Sequence, residues 1–306
     1  STITQEIPLV FPPDCGLSDI FSAPQGTLLA VELSCSFGQS VLFLDPATGS
    51  VTPAFSEADS HFLAWTSDGR SAFLRVNLAG NPQIIRAFPG GKQEFVPITE
   101  LTYDIAPNPG SPDFTFTFSR GLGFGSEIWL AIKGGNIVEQ LYADELNYIS
   151  FARWSPDGNK IVFIKIPDSQ TPFTVGELWL MNADGSNAHK LADADAGHGY
   201  AANWSPDGTR LAFIVRENSD ETRVNESIEA LISNIYVADV ASKEISQITR
   251  FTEGRAETPH WSPDGNKLVF QYVLNGRMDL QVVDLLSGEI KAVLTEPACC
   301  PSWMRK

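Results

Sequence analysis

The chain has 306 residues, which fits one large domain or two average ones, and 43% of its residues are hydrophobic, enough for a substantial core. Lys and Arg number 21 against 37 Asp and Glu, and the resulting formal charge of −16 argues against binding to nucleic acid or anionic lipid. No apolar run reaches the roughly 18 residues that a membrane-spanning helix needs, so we expect no transmembrane segment.

In chain order, one turn motif recurs along most of the sequence. Weak copies come first, at 21–26 (FSAPQG), 65–69 (WTSDG) and 105–110 (IAPNPG). Three strong copies of WSPDG follow, at 154–158, 204–208 and 261–265. Pro presets the backbone for a turn, Asp bonds the backbone ahead of it, and Gly takes a positive φ. The motif therefore predicts a tight turn that joins two strands.

The residues around each turn predict a repeating sheet. Alternating apolar runs follow the strong copies at 159–163 (NKIVF), 209–213 (TRLAF) and 266–270 (NKLVF). Third strands are predicted at 178–181, 235–238 and 280–283, and a short fourth strand ends each unit. Four strands per repeat, with a Trp at the end of the inner strand, are typical of a propeller blade.

The spacing predicts six such units in a single domain, 1–306. Inner strands are expected near 16–21, 60–65, 102–106, 149–154, 199–204 and 256–261, with a closing strand at 298–303. The fold class is therefore all-β, a six-bladed β-propeller of four-stranded antiparallel blades. Overlap of the N- and C-terminal strands is expected to close the ring and remove the exposed sheet edge.

The WSPDG units and their following strands resemble the TolB-type β-propeller repeat, a relative of the WD repeat. The resemblance covers nearly the whole chain and implies the propeller fold. Such propellers occur in periplasmic assembly factors, in regulatory domains of prolyl-oligopeptidase-like peptidases and in a few lyases. The fold alone does not choose among these functions.

The four cysteines are Cys15, Cys35, Cys299 and Cys300, with no C-x-x-C pair to suggest a zinc ribbon. We expect Cys299 and Cys300 to bond to Cys15 and Cys35, in one order or the other, across the ring closure. A Cys299–Cys300 bond is the third connectivity. Disulfides favour an exported protein, periplasmic or extracellular, and four buried thiols in a cytosolic protein are the alternative. The sequence begins at Ser1, so a removed targeting segment and a trimmed chain both stay open.

Loops that lead into the inner strands are rich in acidic residues and define a predicted partner-binding rim. Its members are Glu57, Asp59, His61, Asp104, Asp144, Glu145, Asp193, Asp195, His198, Glu253 and Glu257. Such a rim would attract a cation or a basic peptide. The alternative is that a chain with this net charge carries acidic loops everywhere.

Histidines and one acidic loop raise the question of a metal. His61, His198 and His260 lie near inner strands and could hold Mn²⁺ or Zn²⁺, although their offsets from the neighbouring Trp differ. Asp193 and Asp195 could offer oxygen ligands to Ca²⁺. Scattered histidines and a solvated loop are the simpler interpretation, so we expect no cofactor.

Motifs typical of hydrolases and nucleotide-binding enzymes are absent from the sequence, including G-x-S-x-G, H-E-x-x-H and G-x-x-x-x-G-K. The sequence therefore predicts a protein that is not an enzyme, a protein-binding or scaffold propeller of the cell envelope or exterior. It could also be a subunit of a larger complex. The alternative is a metal-dependent propeller enzyme, a lyase or hydrolase, with a histidine-lined channel.

Overall fold

The computed structural model describes residues 11–24, 27–55, 59–121, 123–167, 175–195, 201–219 and 228–293. Within these ranges most of the regular structure is β-strand, with 3-10 turns at Lys133–Gly135 and Ile228–Ala230. No helix in these ranges is long and apolar enough to cross a bilayer. The segment between Glu217 and Ser233 contains the second 3-10 turn, and 220–227 lie outside the described residues.

The strands follow the repeats of the sequence in groups of four. The first two groups are β1 (Cys15–Ser22), β2 (Leu29–Cys35), β3 (Gly38–Asp45), β4 (Ser50–Pro53), β5 (Ser60–Trp65), β6 (Ala72–Leu78), β7 (Asn81–Ala87) and β8 (Gln93–Phe95). The next two are β9 (Thr102–Pro107), β10 (Phe114–Phe118), β11 (Ser126–Ile132), β12 (Ile137–Asp144), β13 (Asn147–Trp154), β14 (Lys160–Pro167), β15 (Val175–Asn182) and β16 (His189–Asp195). The last two are β17 (Asn203–Trp204), β18 (Arg210–Arg216), β19 (Ser233–Asp239), β20 (Ile245–Gln247), β21 (Arg255–Trp261), β22 (Lys267–Leu274), β23 (Arg277–Asp284) and β24 (Ile290–Ala292).

Strand pairing confirms the predicted all-β propeller of four-stranded antiparallel blades. The first strand of each of the first five groups stands at one edge of its sheet, and β9 packs against both β5 and β13. The pairing gives four sheets of four strands and one of eight, instead of six separate sheets. A single parallel pair, Ser233 with Arg255, joins the two halves of the eight-stranded sheet. The predicted closing strand at 298–303 lies outside the described residues.

Indole hydrogen bonds tie successive first strands together. The Trp154 Nε1–H donates to the Ala106 carbonyl at 3.0 Å and to the Thr115 hydroxyl at 3.2 Å. The same kind of bond joins Trp65 to the Phe21 carbonyl, Trp204 to the Arg153 carbonyl and Trp261 to the Asn203 carbonyl. Each of these four Trp residues, which end β5, β13, β17 and β21, therefore bonds the preceding inner strand, besides filling the space between sheets.

The WSPDG turn is closed by its own polar side chains. The Ser155 hydroxyl donates to Asp157 and accepts from the Lys160 N–H at 2.9 Å, which fixes the start of β14. Gly158 has φ +71°, and a Cβ there would lie 3.1 Å from the Asn108 side chain of the preceding turn. The positive φ therefore favours glycine, and the close approach of the neighbouring turn leaves little room for a larger residue.

The cysteine pairing differs from the prediction. Cys15 and Cys35 are bonded to each other, with their Cα atoms 4.0 Å apart. They lie directly opposite each other in the β1–β2 register, so bonding is local and does not bridge the first and last groups of strands. The expected pairing of these two residues with Cys299 and Cys300 is wrong. Cys299 and Cys300 themselves lie outside the described residues.

Candidate functional site

The two ends of the propeller channel carry different chemistry. β1, β5, β9, β13 and β21 begin at one end, which we call the upper mouth, and the WSPDG turns lie at the other. Loops that link the second strand to the third also reach the upper mouth, because those strands are antiparallel to the first. Side chains near the starts of first strands and the ends of second strands therefore meet there.

Two carboxylates face each other midway along the first two strands of the first sheet, inward from the upper mouth. Asp19 of β1 and Glu32 of β2 are direct partners in the antiparallel register. The Glu32 side chain is only 14% exposed. It accepts a hydrogen bond from the Phe62 N–H of the next sheet at 3.3 Å, while Asp19 accepts one from the Ile20 N–H at 2.7 Å. Like charges directly opposite each other destabilise a sheet. This pair therefore lowers the stability of the fold, and core packing gives no reason for it.

The neighbouring sheet contributes a histidine and an arginine. His61 of β5 and Arg75 of β6 are register partners, just as Asp19 and Glu32 are. His61 Nδ1 lies 3.7 Å from Glu32 Oε1, and its Nε2 lies 3.5 Å from Asp59 Oδ1. The imidazole is 34% exposed and so remains accessible to a ligand. We call Asp19, Glu32, Asp59, His61 and Arg75 the mouth cluster.

The surroundings in the mouth cluster shift the pKa values of three groups in directions that suit proton transfer. Burial raises the pKa of Glu32 above its ordinary 4.5, the charge of Asp19 raises it further, and the Phe62 N–H and Arg75 offset part of the rise. Burial also raises the pKa of Asp19 above 3.8. For His61, burial and the nearby Arg75 lower the pKa below 6.5, against the opposing charge of Asp59. Glu32 therefore retains its proton at higher pH than usual, and His61 is neutral at lower pH than usual.

Several residues of the predicted rim are removed from the surface. Asp104, Asp195 and Glu257 are buried, and each lies against an arginine: Arg153, Arg216 and Arg255 respectively. Asp144 pairs with Lys165, and both side chains are 11% exposed. The expectation that these four acids form a partner surface is corrected, because ion pairing between and within blades uses their charges. The rim residues at the surface are Asp59, His61, Glu145, Asp193 and Glu253, while Glu57 and His198 lie outside the described residues.

The predicted histidine cluster is also dispersed. His61 is the second residue of β5, at the upper mouth, whereas His260 is next to last in β21, at the end with the turns. His260 lines a shallow pocket there with Asn203, Trp204 and Trp261, and burial lowers its pKa. His61 and His260 are at different distances along the sequence from the Trp of their strands, and they therefore lie at different depths along the channel. His198, the third member, lies outside the described residues.

Sequence reasoning named His61 and Asp59 but missed Asp19, Glu32 and Arg75. These three lie inside strands, where the alternation of apolar and polar residues marks them only as polar positions. A usable signal was present. Glu32 and Arg75 occupy second strands that are otherwise strongly apolar, in LAVELSC and AFLRVNL. A charge inside such a strand is costly and indicates a role.

Comparisons with known sequences give one partial relative. No protein-family model matches the chain. An uncharacterised protein of Agrobacterium fabrum is 30% identical over 148 residues, which cover 46% of this chain and 48% of that protein. The chain therefore spans about half the length of the curated relative that it matches.

Solved structures match along most of the chain. An oligogalacturonate lyase in complex with manganese has 16% sequence identity and a TM-score of 0.68, with 92% of this chain and 79% of the lyase covered. A prolyl endopeptidase has 11% identity and a TM-score of 0.65, with 91% and 42% covered. TolB from Acinetobacter baumannii has 16% identity and a TM-score of 0.58, with 94% and 66% covered. These likenesses show a shared β-propeller fold, TolB among its members.

The comparisons contradict the prediction that this chain is a non-catalytic scaffold and not an enzyme. Propellers that resemble it over nine-tenths of its length include a lyase and an endopeptidase. The prediction depended on the absence of hydrolase motifs. Those motifs belong to other folds, so their absence says little about a site built from propeller strands.

The oligogalacturonate lyase was solved in complex with manganese, but the described residues of this chain do not fit a manganese site. No group of three or more His, Cys, Asp or Glu side chains in the described ranges is arranged to hold a metal. The two nitrogens of His61 face different carboxylates, and the positive charge of Arg75 adjoins the same imidazole. Asp193 and Asp195 contact Lys190 and Arg216, so cations already neutralise them. We therefore derive no chemical step through a metal.

Proposed function

We propose that this chain is a propeller enzyme, a hydrolase or lyase, that uses general acid–base catalysis at the mouth cluster. The main support for the proposal is that the pKa values of two neighbouring groups are shifted in opposite directions. The pKa of Glu32 is raised and that of His61 is lowered, and the two side chains are 3.7 Å apart. Pairs of titratable groups that their surroundings shift apart are a common basis for acid and base roles.

The two roles follow from the charge each group carries. Protonated Glu32 donates its proton to the oxygen of the departing group, which leaves as an alcohol. Neutral His61 accepts a proton, either from a water molecule that attacks the substrate in hydrolysis or from a carbon in elimination. Asp59, 3.5 Å from His61 Nε2, would steady the imidazolium that forms. Arg75 acts as a positioning residue, since its charge keeps His61 neutral before the reaction.

The same proposal extends to the architecture and the compartment. We take the eight-stranded sheet as two blades, because one residue pair joins its halves, and so count six blades in the ring. Closure would involve the terminal segments. The Cys15–Cys35 disulfide supports an exported, periplasmic or extracellular protein, since such bonds persist in oxidising compartments.

The pH–rate profile tests the proposed chemistry. Catalysis needs neutral His61 and protonated Glu32 together, so the pH–rate profile should be bell-shaped: the rate should fall as pH drops through the lowered pKa of His61 and as pH rises through the raised pKa of Glu32. Purified protein would be assayed with tetragalacturonate, cellotetraose and glucosamine tetramer, following unsaturated products and new reducing ends. We expect turnover of one of them, unchanged by EDTA. Absence of turnover with all three, or activity that EDTA abolishes and Mn²⁺ restores, would contradict the proposal.

A further inference from the structure

An exposed aromatic residue adjoins the mouth cluster. Phe37 occupies the turn between β2 and β3 and is 54% exposed. The residue after it, Gly38, lies so close to Asp59 that a Cβ there would be 2.9 Å from Asp59 Oδ1. The Gln39 N–H points to the same oxygen at 3.4 Å. The hairpin turn that carries Phe37 is therefore held against Asp59 through Gly38 and Gln39.

The base of the hairpin is fixed as well. The Cys15–Cys35 bond joins its first strand to β1, and the Ser36 hydroxyl donates to Asp14 at 2.7 Å. A surface that exposes a large aromatic ring on a constrained turn, instead of burying it, costs hydrophobic free energy. Such rings commonly contact ligands, because a fixed aromatic face binds with little loss of conformational entropy.

Charge around Phe37 selects among ligands. Asp14, Asp19 and Asp59 lie in or beside the mouth cluster, where Glu32 is the proposed proton donor and Arg75 is the one cation, and the whole chain carries −16. Such a field repels polyanions and raises the local concentration of cations. In addition, Gln39 Oε1 is buried without a hydrogen-bond donor in the described structure, which leaves an unused acceptor in this hairpin.

We propose that Phe37 is a substrate-contacting residue of this enzyme and that the substrate carries an ammonium group, which binds against the Phe37 ring beside the Asp59 carboxylate. The inference rests on the proposed function and adds the charge class of the substrate. An aromatic face and a carboxylate together suit an ammonium ion, through cation–π attraction and direct ion pairing. A substrate of this class lacks the carboxylate that activates a uronate for elimination, so hydrolysis is the reaction we expect.

Binding measurements with matched probes test this inference. Glucosamine tetramer and cellotetraose share one β-1,4-linked skeleton and differ in the amine at C2. We expect glucosamine tetramer to bind the wild type at least 10-fold more tightly than cellotetraose at low salt, with the difference shrinking as salt rises. Phe37→Ala should weaken its binding about 3- to 30-fold, the range of a cation–π contact. Asp59→Asn should weaken it by a similar factor.

Phe95→Ala is the matched control, since Phe95 is 63% exposed on β8, the outermost strand of its sheet. It should leave binding unchanged. Equal affinity for the two probes, tighter binding of tetragalacturonate, or wild-type affinity in Phe37→Ala would overturn the inference. Because these are binding data, they are separable from the proposed function. If glucosamine tetramer binds more tightly but Glu32 and His61 titrate at their ordinary pKa values, only the acid–base chemistry is rejected. If another probe is turned over and Phe37→Ala does not change binding, only the ammonium site is rejected.

Discussion

Glu32→Gln should lower the catalysed rate by about 10²- to 10⁴-fold, the usual contribution of one acid or base group. Glutamine preserves the shape of the side chain, and its amide oxygen can still accept the Phe62 N–H bond. It has no acidic proton to give to a departing oxygen. The loss should therefore appear in kcat, with KM changed much less. Steady-state kinetics on the substrate found in the panel would measure it.

The same substitution should stabilise the fold at neutral pH. The pKa of Glu32 is raised in the folded protein, so its contribution to stability is present below the ordinary 4.5 and is lost as pH rises through the folded value. At pH 7.5 the buried, ionised carboxylate lowers the free energy of unfolding, and the neutral glutamine removes this penalty. We expect a rise in Tm of about 2 °C or more at pH 7.5, and no rise at pH 4.

Glu139→Gln is the control for both effects. Glu139 is exposed on β12, the outermost strand of its sheet, away from the mouth cluster. Its substitution should change neither the rate nor the pH dependence of Tm. A Glu32→Gln variant that keeps wild-type kcat would remove the acid role. One that is less stable at pH 7.5 would show that Glu32 is an ordinary structural carboxylate.

Trp154→Ala should cost about 3–5 kcal/mol of unfolding free energy, the range for large buried aromatic residues. Trp154 is 7% exposed and packs with Ile149, Ile161 and Phe163 between two sheets. Its indole also bonds the Ala106 carbonyl and the Thr115 hydroxyl of the preceding sheet. Urea unfolding would give the change, read as a lower midpoint at constant m.

Trp154→Phe separates the two contributions of the indole. Phenylalanine keeps much of the apolar volume but leaves the two acceptors without their N–H, so we expect a loss of about 1–3 kcal/mol. Trp129→Phe is the matched control, because the Trp129 Nε1–H bonds Glu127, two residues before it in its own strand, and no group of another described sheet. Its cost should be below about 1 kcal/mol. Equal costs for the two Phe variants would show that the bonds between sheets do not contribute to stability.

Sequence predicted the blades because their signals are local. A turn such as 154–158 contains its own chemistry, since Ser155 and Asp157 bond each other and the backbone beside them. The three strong copies then place the strands around them with little ambiguity. The weak copies also placed their strands correctly, because β5 and β9 begin within the inner strands predicted at 60–65 and 102–106.

Long-range pairings were beyond the sequence. Neither the Cys15–Cys35 bond nor the ion pair of Asp104 with Arg153 can be read without strand register and blade order. The mouth cluster has the same origin, since Glu32 and His61 come from different sheets and meet only at the channel. Sequence counted the acids correctly but could not distinguish exposed Asp59 from buried Asp195. Burial of that kind is decided by tertiary packing.

The titration of Glu32 and His61 tests the central claim most directly. Carboxyl-¹³C-labelled glutamate and ring-labelled histidine would be followed by NMR from pH 3 to 9, with Glu32→Gln and His61→Asn to assign the signals. We predict a midpoint above 4.5 for Glu32 and below 6.5 for His61. Because the groups adjoin, each should also show a second, smaller inflection from its neighbour. Midpoints at or below 4.5 for Glu32 and at or above 6.5 for His61 would contradict an acid–base site at the upper mouth.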